Sequence, residues 1–363
     1  MRIVLTLLLV VHGLIHFMGF AKAFDFGNMA RFSKEISKPM GLLWLLNGLL
    51  FIISVVLFWM KNQTWPMFGI IAVVLSQIVI FMFWHDAKYG TIANVIILIA
   101  VIIAFSTLRF ENKFISDVRS GMVATSISSS QISKKDLENL PLMVQRYLNY
   151  VDVVGKPKVQ NFKIIFDGEM REKGKDWFKF TSEQYNFFES PTRLFFMKAK
   201  IKGLPTHGYH AYKKGNASMD VKVLSILTVV HEDSPELYPT ETVTFFNDLC
   251  LFAPAALVDN RITWEVIDDL SVKAIFANGN TVISAILYFN ETGQLINFIS
   301  HDRYSISEMK AFPFSTPVKA YKNINGYNIP TYGEAVWHYP DGEFVYGKFR
   351  LKDLEYNVKT VTQ

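Results

Sequence analysis

Four long and almost uncharged apolar runs fill the first 110 residues of the chain, at 3–20, 40–60, 65–84 and 91–108. Each run is close to the roughly 20 residues that a helix needs to cross a bilayer core of about 30 Å. Inside lipid the backbone must satisfy its own hydrogen bonds, so a run of this kind folds as a helix. The first run exceeds the apolar region of a signal peptide, and we expect it to be retained. The sequence therefore predicts a membrane protein with four spans.

The excess of positive charge belongs to this first part of the chain. Residues 1–120 contain ten Lys/Arg and five Asp/Glu, whereas residues 121–363 contain 27 of each kind. Basic residues normally flank membrane spans, so the net charge of +5 does not indicate a nucleic-acid partner. The single cysteine, Cys250, excludes an internal disulfide and a multi-cysteine metal site.

A second domain of a different kind follows a polar, serine-rich segment. We place a membrane domain at 1–110, a linker at 111–133 and a β-rich domain at 134–363. From Lys158 onward apolar residues alternate with a period of two and glycine-containing turns recur, which predicts antiparallel strands. Helices are predicted after Ser133, which can cap one, and near Pro235, a residue favoured at the first helical position.

Several predicted strands are apolar on both faces. In residues 281–290, Ile283 and Leu287 point to one face, whereas Val282, Ile286 and Tyr288 point to the other. Antiparallel sheets more often keep one face in water. We therefore predict a helical bundle of four spans followed by an α+β domain, in which a curved antiparallel sheet or open half-barrel packs helices on its concave side. We expect something apolar to cover the rest.

Seven short strings, spread over nearly the whole chain, carry a family resemblance. They are HGLIH (12–16), GFAKAF (19–24), LSQ (75–77), DAKYGTIAN (86–94), VQRYL (144–148), ITWEVIDD (262–269) and WHYPDGEF (337–344). In these strings the chain resembles an uncharacterised family of bacterial membrane proteins, which implies no catalytic residues. The order of helices and strands is similar to the lipoprotein-carrier (LolA/LolB-like) architecture, which implies an open half-barrel lined by apolar side chains and lidded by helices.

Polar side chains within the runs gather in one half of the membrane. His12 and His16 are four residues apart and therefore share one face of the first span. Counting helical turns from the ends of the runs gives a predicted intramembrane polar cluster of His12, His16, Asn47, Gln77, His85, Asp86 and Asn94. We favour hydrogen bonding between spans. A path for a polar substrate or protons, and a metal or haem held by the three histidines, are the alternatives.

No motif in the β-rich domain predicts a catalytic site. Asp268 and Asp269 are neighbours on a strand and point to opposite faces, so they do not form a carboxylate pair. Cys250 lies on the apolar side of its helix and fits a buried, inert thiol. The strings of P-loop, serine-hydrolase and zinc-protease sites do not occur. An enzyme is therefore our third hypothesis, with no catalytic residue, cofactor or metal predicted.

Aromatic residues in the predicted strands suggest an apolar ligand. An ordinary core explains most of them, but a sheet that is apolar on both faces and has few helices leaves room for a lipid or acyl chain. The predicted ligand-binding residues are Phe178, Phe180, Phe196, Tyr288, Phe298, Tyr304 and Trp337. Our leading hypothesis is a membrane-anchored lipid-binding protein. The alternative is an assembly module of the cell envelope, with a protein partner and no small ligand.

The charges of the loops do not choose an orientation in the membrane. The loops after the first and third spans carry Lys22, Arg31, Lys34, Lys38 and Lys88, and the opposite side carries Arg2, Lys61, Arg109, Lys113 and Arg119. Five basic residues on each side leave the positive-inside rule without a preference. By analogy with the carriers we expect a multi-pass protein of the inner (cytoplasmic) membrane with its β-rich domain outside the cytoplasm.

Overall fold

The computed structural model describes residues 2–26, 33–306, 308 and 310–361, so Arg31 lies outside the described residues. The chain divides into two compact units, Met1–Phe110 and Glu111–Gln363. The helices are α1 (Arg2–Ala23), α2 (Lys38–Trp59), α3 (Trp65–Met82), α4 (Trp84–Ala87), α5 (Gly90–Ala124), α6 (Lys134–Leu137), α7 (Leu142–Val151) and α8 (Leu237–Phe252).

Helices α1, α2, α3 and α5 are the four predicted spans, and each is long and apolar enough to cross a membrane. Their prediction as helices is confirmed. Helix α5 continues beyond its apolar run to Ala124, so the segment that the sequence suggested as a linker begins as helix. Phe110, Phe114 and Val118 recur every four residues along it and are buried, which explains why the polar stretch stays helical.

Glycines allow α1 and α2 to pack closely. A Cβ atom at Gly19 would lie 2.1 Å from Cδ2 of Trp44, and one at Gly48 would lie 2.5 Å from Cε1 of Phe17. Without a hydrophobic force between helices in lipid, such close backbone approach is a main source of packing energy. The second unit is built differently, from strands.

Its strands are β1 (Asn161–Met170), β2 (Phe178–Phe187), β3 (Thr192–Ile201), β4 (Leu204–Lys213), β5 (Asn216–Val223), β6 (Leu227–Glu232), β7 (Ile262–Asp268), β8 (Ser271–Asn278), β9 (Thr281–Phe289), β10 (Leu295–Ser300), β11 (Tyr304–Ser305), β12 (Lys310–Ala311), β13 (Phe314–Ser315), β14 (Val318–Ile324), β15 (Tyr327–Tyr339) and β16 (Gly342–Tyr356). Within the described residues, β11 and β12 form a separate hairpin and the other fourteen strands form one sheet.

The sheet is antiparallel and not closed. Its order is β6-β5-β4-β3-β2-β1-β16-β15-β13-β10-β9-β8-β7, with β14 paired to β15. One meander therefore runs outward from β1 to the edge strand β6, and a second begins at the other edge with β7. The pairing of β1 with β16, as in Phe162 opposite Tyr356, joins the two halves. The predicted open half-barrel with packed helices is confirmed.

Helix α8 connects the two edge strands along the chain and is buried against the sheet. We call the face on which α7 and α8 pack the inner face. Phe246 of α8 stacks on Phe276 of β8 with ring centroids 5.2 Å apart, and Tyr147 of α7 donates a hydrogen bond to the Cys250 carbonyl (2.7 Å). These contacts form the main hydrophobic core over β8 and β9.

The outer face of β9 differs from our expectation that both faces would be covered. Ile283 and Leu287 are buried beneath the helices, but Val282 and Tyr288 are 61% and 36% exposed. Helices α7 and α8 lie only on the inner face, so the apolar residues that alternate with the core positions remain at the surface.

Candidate functional site

A cavity of about 960 Å³ opens on the inner face of the second unit. Apolar side chains from β3, β5 and α8 line much of it, for example Met197, Met219, Val221 and Leu251. No described residue of β7–β10 takes part in the lining. Because α8 fills the inner face over β8 and β9, the open sheet keeps its free space over β1–β6 and β13–β16.

A buried ion cluster forms one wall of this cavity. Arg193 of β3 donates from Nε to Asp248 (2.7 Å), from Nη1 to Glu241 (3.2 Å) and from Nη2 to Gln184 Oε1 (3.0 Å). Both acidic residues lie on α8, and all four side chains are buried. The cluster therefore attaches the helix to the sheet through a guanidinium whose three nitrogen atoms are all in use.

The surroundings of the two carboxylates shift their pKa values in opposite directions. Burial favours the neutral acid at Glu241, but His210, 3.9 Å away, and the charge of Arg193 outweigh it and lower the pKa of Glu241 to about 2. At Asp248 burial is the stronger influence and raises the pKa, despite the contact with Arg193. Glu241 is thus the firmly ionised partner of Arg193.

A second arginine in the cavity wall is bound much more loosely. Arg303 Nη1 donates to the hydroxyl of Tyr346 (3.0 Å), and its guanidinium carbon lies 3.9 Å from the ring centroid of Phe314 and 5.0 Å from that of Trp337. Its Nε is buried without a hydrogen-bond partner.

Asn247 of α8 also lines the cavity with an unused polar atom. Its Nδ2 donates to Thr316 (2.9 Å), whereas its Oδ1 is buried without a partner. Among the described residues of the lining, Asn247 and Arg303 are the two whose side chains have a buried polar atom without a hydrogen bond. A buried polar group normally has a partner, so these atoms mark the two polar positions of the lining that the chain itself leaves unsatisfied.

Three of the predicted ligand-binding residues line the cavity, namely Phe178, Tyr304 and Trp337. Phe180 instead packs against Phe349, with ring centroids 5.4 Å apart, and does not belong to the lining. The role of all these residues in ligand binding stays a prediction.

The other three predicted residues lie away from the cavity. Phe298 is in the core against Phe246 (6.0 Å between ring centroids), and Tyr288 is at the surface. Phe196 points to the outer face, where its ring centroid is 5.3 Å from that of Phe114 in α5.

Aromatic residues of β2–β4 thus also contact α5 on the outer face of the sheet. The ring of Phe114 also lies near Tyr185 and Tyr209, with centroids 6.0 and 5.6 Å away. Tyr209 donates to Asp117 (2.6 Å), and Lys198 pairs with Glu111 (2.6 Å). Residues of α5 from 111 onward are therefore held on the outer face by rings and by charges.

Sequence reasoning did not single out the polar residues of the cavity. Arg193, Glu241, Asp248, Asn247 and Arg303 were all missed. A usable signal is present, because Asp248 interrupts the buried apolar stretch 245–251 and Arg193 directly precedes the buried apolar run 194–197, where a charge is expensive unless it is paired.

The intramembrane polar cluster comes together for five of its seven predicted members. His12 Nε2 lies 2.9 Å from Asn94 Oδ1 and 3.1 Å from Ser76 Oγ, and His16 Nε2 lies 2.9 Å from the same Ser76 hydroxyl. Asn94 donates to Gln77 (3.0 Å). Ser76, which the predicted cluster did not include, is the hub of the network.

Asn47 completes this network from α2. With its amide oriented to satisfy both polar groups, Oδ1 accepts from His16 Nε2 (3.1 Å) and from the Ser76 backbone N–H (3.1 Å), and Nδ2 donates to the Ala72 carbonyl (2.8 Å). The four long helices are therefore joined by hydrogen bonds, as the interpretation that we favoured requires.

The remaining two members, His85 and Asp86, lie apart from this network. The His85 side chain is 86% exposed and contacts Asp86 (3.2 Å), which also accepts from the backbone and hydroxyl of Ser33 (3.0 and 2.9 Å). Among the described residues, no group of three or more His, Cys, Asp or Glu side chains could hold a metal ion.

Comparison with known proteins gives a family without a known activity. The model of DUF6544, a family of unknown function, matches residues 130–349. No curated protein matches the chain. A solved structure of a LolA superfamily protein from Nitrosomonas europaea is similar at 10% sequence identity, with a TM-score of 0.34, over 59% of this chain and 94% of that chain.

Proposed function

We propose that this chain, which belongs to the DUF6544 family of unknown function, is a membrane-anchored binding protein whose half-barrel holds a lipid or another apolar chain. The observation that carries the proposal is the cavity of about 960 Å³ on the inner face. Small-molecule sites are typically about 300–1,000 Å³, mostly apolar, with a few well-placed polar groups. The cavity has this size and this character.

The energy of binding would come from the apolar walls. Burying one methylene group is worth about 0.8 kcal/mol, so a chain that places ten methylene groups in the cavity gains roughly 8 kcal/mol before the cost of ordering. Met197, Met219 and Val221 offer the surface for it. The flexible methionine side chains allow walls of this kind to fit chains of different shape.

The membrane part supplies the location that such a ligand requires. Four helices able to span a bilayer keep the cavity-bearing chain at a membrane, where apolar chains are concentrated. We place the protein in the cytoplasmic membrane as a multi-pass protein, with the half-barrel outside the cytoplasm. A reporter fused to the C-terminus and compared on the two sides of the membrane tests this placement.

The test of binding uses the full chain in amphipol and the fluorescent probe 11-dansylaminoundecanoic acid. We expect saturable binding, and native mass spectrometry should find lipid that co-purifies with the chain. Val221→Trp fills the cavity and should weaken probe binding at least tenfold. Val282→Trp is the matched control, because Val282 is exposed on β9 and does not line the cavity.

Two results would overturn the proposal. One is a chain that neither retains lipid nor binds the probe. The other is equal probe binding by the Val221→Trp and Val282→Trp variants, which would place the bound probe outside the cavity.

The edge strand β6 favours a second candidate, an assembly module. Leu227 and Val229 are 63% and 52% exposed, on a strand with one unpaired edge. Such an edge can accept a strand from another protein. Crosslinking that recovers one stoichiometric envelope protein without lipid, and loses it in Leu227→Lys, would favour this candidate; unlike Val229, Leu227 does not line the cavity.

A further inference from the structure

We propose that the ligand of the cavity is an amphiphile with an anionic headgroup, and that Arg303 binds its carboxylate or phosphate. This inference rests on the proposed function and names the chemical class of the ligand. It starts from the unused Nε of Arg303 in the wall of the cavity.

Arg193 and Arg303, both in the cavity wall, differ in what they bind. Arg193 has Asp248, Glu241 and Gln184 as partners and no nitrogen atom left over. Arg303 has the neutral hydroxyl of Tyr346 as its hydrogen-bond partner, with no carboxylate within ion-pair distance among the described residues. The charge of Arg303 acts on Glu241, but that carboxylate is hydrogen-bonded to Arg193. Arg303 therefore has no anion of its own, and an anionic headgroup would complete it.

The other basic side chains of the lining are engaged or at the rim. Lys173 pairs with Asp341 (2.7 Å), and Arg171 donates from Nε to the Val345 carbonyl (2.9 Å). Lys202 is exposed in the turn between β3 and β4. Among the described cations of the lining, Arg303 is the one with a buried nitrogen atom that has no hydrogen bond.

The aromatic residues around Arg303 hold it in a useful orientation. Its guanidinium lies over Phe314, Trp337 and Tyr346, at 3.9, 5.0 and 5.9 Å from the ring centroids. Stacking on ring faces fixes the plane of the guanidinium and therefore the directions in which its remaining N–H groups can donate to an anion. Arginine suits carboxylate and phosphate better than lysine at such a site, because both oxyanions accept two parallel hydrogen bonds.

Asn247 supplies a complementary acceptor in the same cavity. Its free Oδ1 can accept from a hydroxyl or an N–H group, which glycerol and ethanolamine headgroups carry. A headgroup with an oxyanion and a donor would satisfy both unused atoms, while the chain lies along the apolar strands.

The experiment displaces 11-dansylaminoundecanoic acid from the full chain in amphipol with three competitors that share one chain. Oleate carries a carboxylate, oleoyl lysophosphatidate carries a phosphate, and oleyl alcohol is neutral. We expect both anions, or one of them, to compete at least tenfold better than the alcohol. The stronger anion identifies the headgroup class.

Variants test whether the preference for an anionic headgroup comes from Arg303. Arg303→Gln should weaken binding of the anionic probe at least tenfold, about 1.4 kcal/mol, and should leave competition by oleyl alcohol unchanged. Arg303→Lys keeps the charge and should restore part of the affinity. Arg261→Gln is the matched control, because Arg261 also lies over an aromatic ring, that of Phe276 (5.8 Å), and neither residue lines the cavity.

Failure of this inference differs from failure of the proposed function. If the alcohol competes as well as the anions, or if Arg303→Gln binds the probe as the unaltered chain does, the cavity binds apolar chains and Arg303 is not a headgroup site. If the unaltered chain neither retains lipid nor binds the probe, both are overturned. Circular dichroism checks that Arg303→Gln is folded. If it is not, probe binding by Arg303→Lys is compared with that of the unaltered chain instead.

Discussion

Replacing Arg193 with methionine should destabilise the half-barrel more than any other single change to its ion pairs. The substitution keeps an apolar stem of similar length and removes the donors to Asp248, Glu241 and Gln184. Asp248 keeps hydrogen bonds from Gln184 (2.8 Å) and Asn186 (3.3 Å). Glu241 keeps only a distant contact with His210 (3.9 Å), so it becomes the unpaired buried charge.

The expected loss of unfolding free energy follows from the carboxylate that remains buried without a partner. Breaking a buried ion pair by removing one partner costs about 3–5 kcal/mol, because the other charge is left without compensation. For a unit of this size, each kcal/mol lowers the melting temperature by about 2–4 °C. The expected shift is therefore about 6–20 °C. Adding Glu241→Gln removes the stranded charge and should recover part of the loss.

The assay is thermal unfolding of the full chain in amphipol, followed by the circular dichroism of the sheet. Arg261→Met is the matched control, since Arg261 pairs with Asp259 (2.6 Å) where both side chains are partly exposed. That change should cost only about 1–2 kcal/mol. The reasoning is refuted if Arg193→Met lowers the melting temperature no more than Arg261→Met does.

Three further predictions concern other parts of the chain. Phe114→Ala empties the aromatic contact between α5 and the outer face and should cost about 3–5 kcal/mol of unfolding free energy; a loss below 1 kcal/mol in denaturant titrations would contradict it. Ser76→Ala removes the hydroxyl shared by His12 and His16 and should destabilise the helical bundle by about 1–2 kcal/mol, and thermal unfolding that matches the unaltered chain would argue against a hub. Hydrogen bonds from the hydroxyl and backbone of Ser133 lower the pKa of Asp136 to about 2, so the stabilising contribution of this carboxylate should be lost as the pH falls through about 2. NMR titration should show that midpoint and its rise in Ser133→Ala.

The architecture was accessible from the sequence because burial repeats along each element. Apolar runs of span length predicted the helices, and the period of two from Lys158 predicted the antiparallel sheet. Periodicity assigns residues to two faces but does not say which face is inner. Phe195 and Phe196 are neighbours in one strand, and Phe195 faces the cavity while Phe196 contacts α5.

Contacts between distant residues limited what could be predicted of the site. Arg193 and Asp248 are 55 positions apart, and no local pattern pairs them. The intramembrane cluster was accessible because depth along a span follows from counting turns. Ser76 was not predicted to belong to the cluster because a small hydroxyl hardly alters the apolar character of its run.

The network around Ser76 has a consequence for the order in which the chain is built. Translation delivers α1 before its partners, and a polar group in lipid is costly until it is bonded. His16 can use Asn47 as soon as α2 follows. His12 can form its two hydrogen bonds only after α3 has supplied Ser76 and α5 has supplied Asn94. Until α5 is inserted, His12 of α1 therefore lacks one of its two hydrogen-bond partners. The helical bundle is completed when the last helix packs against the first.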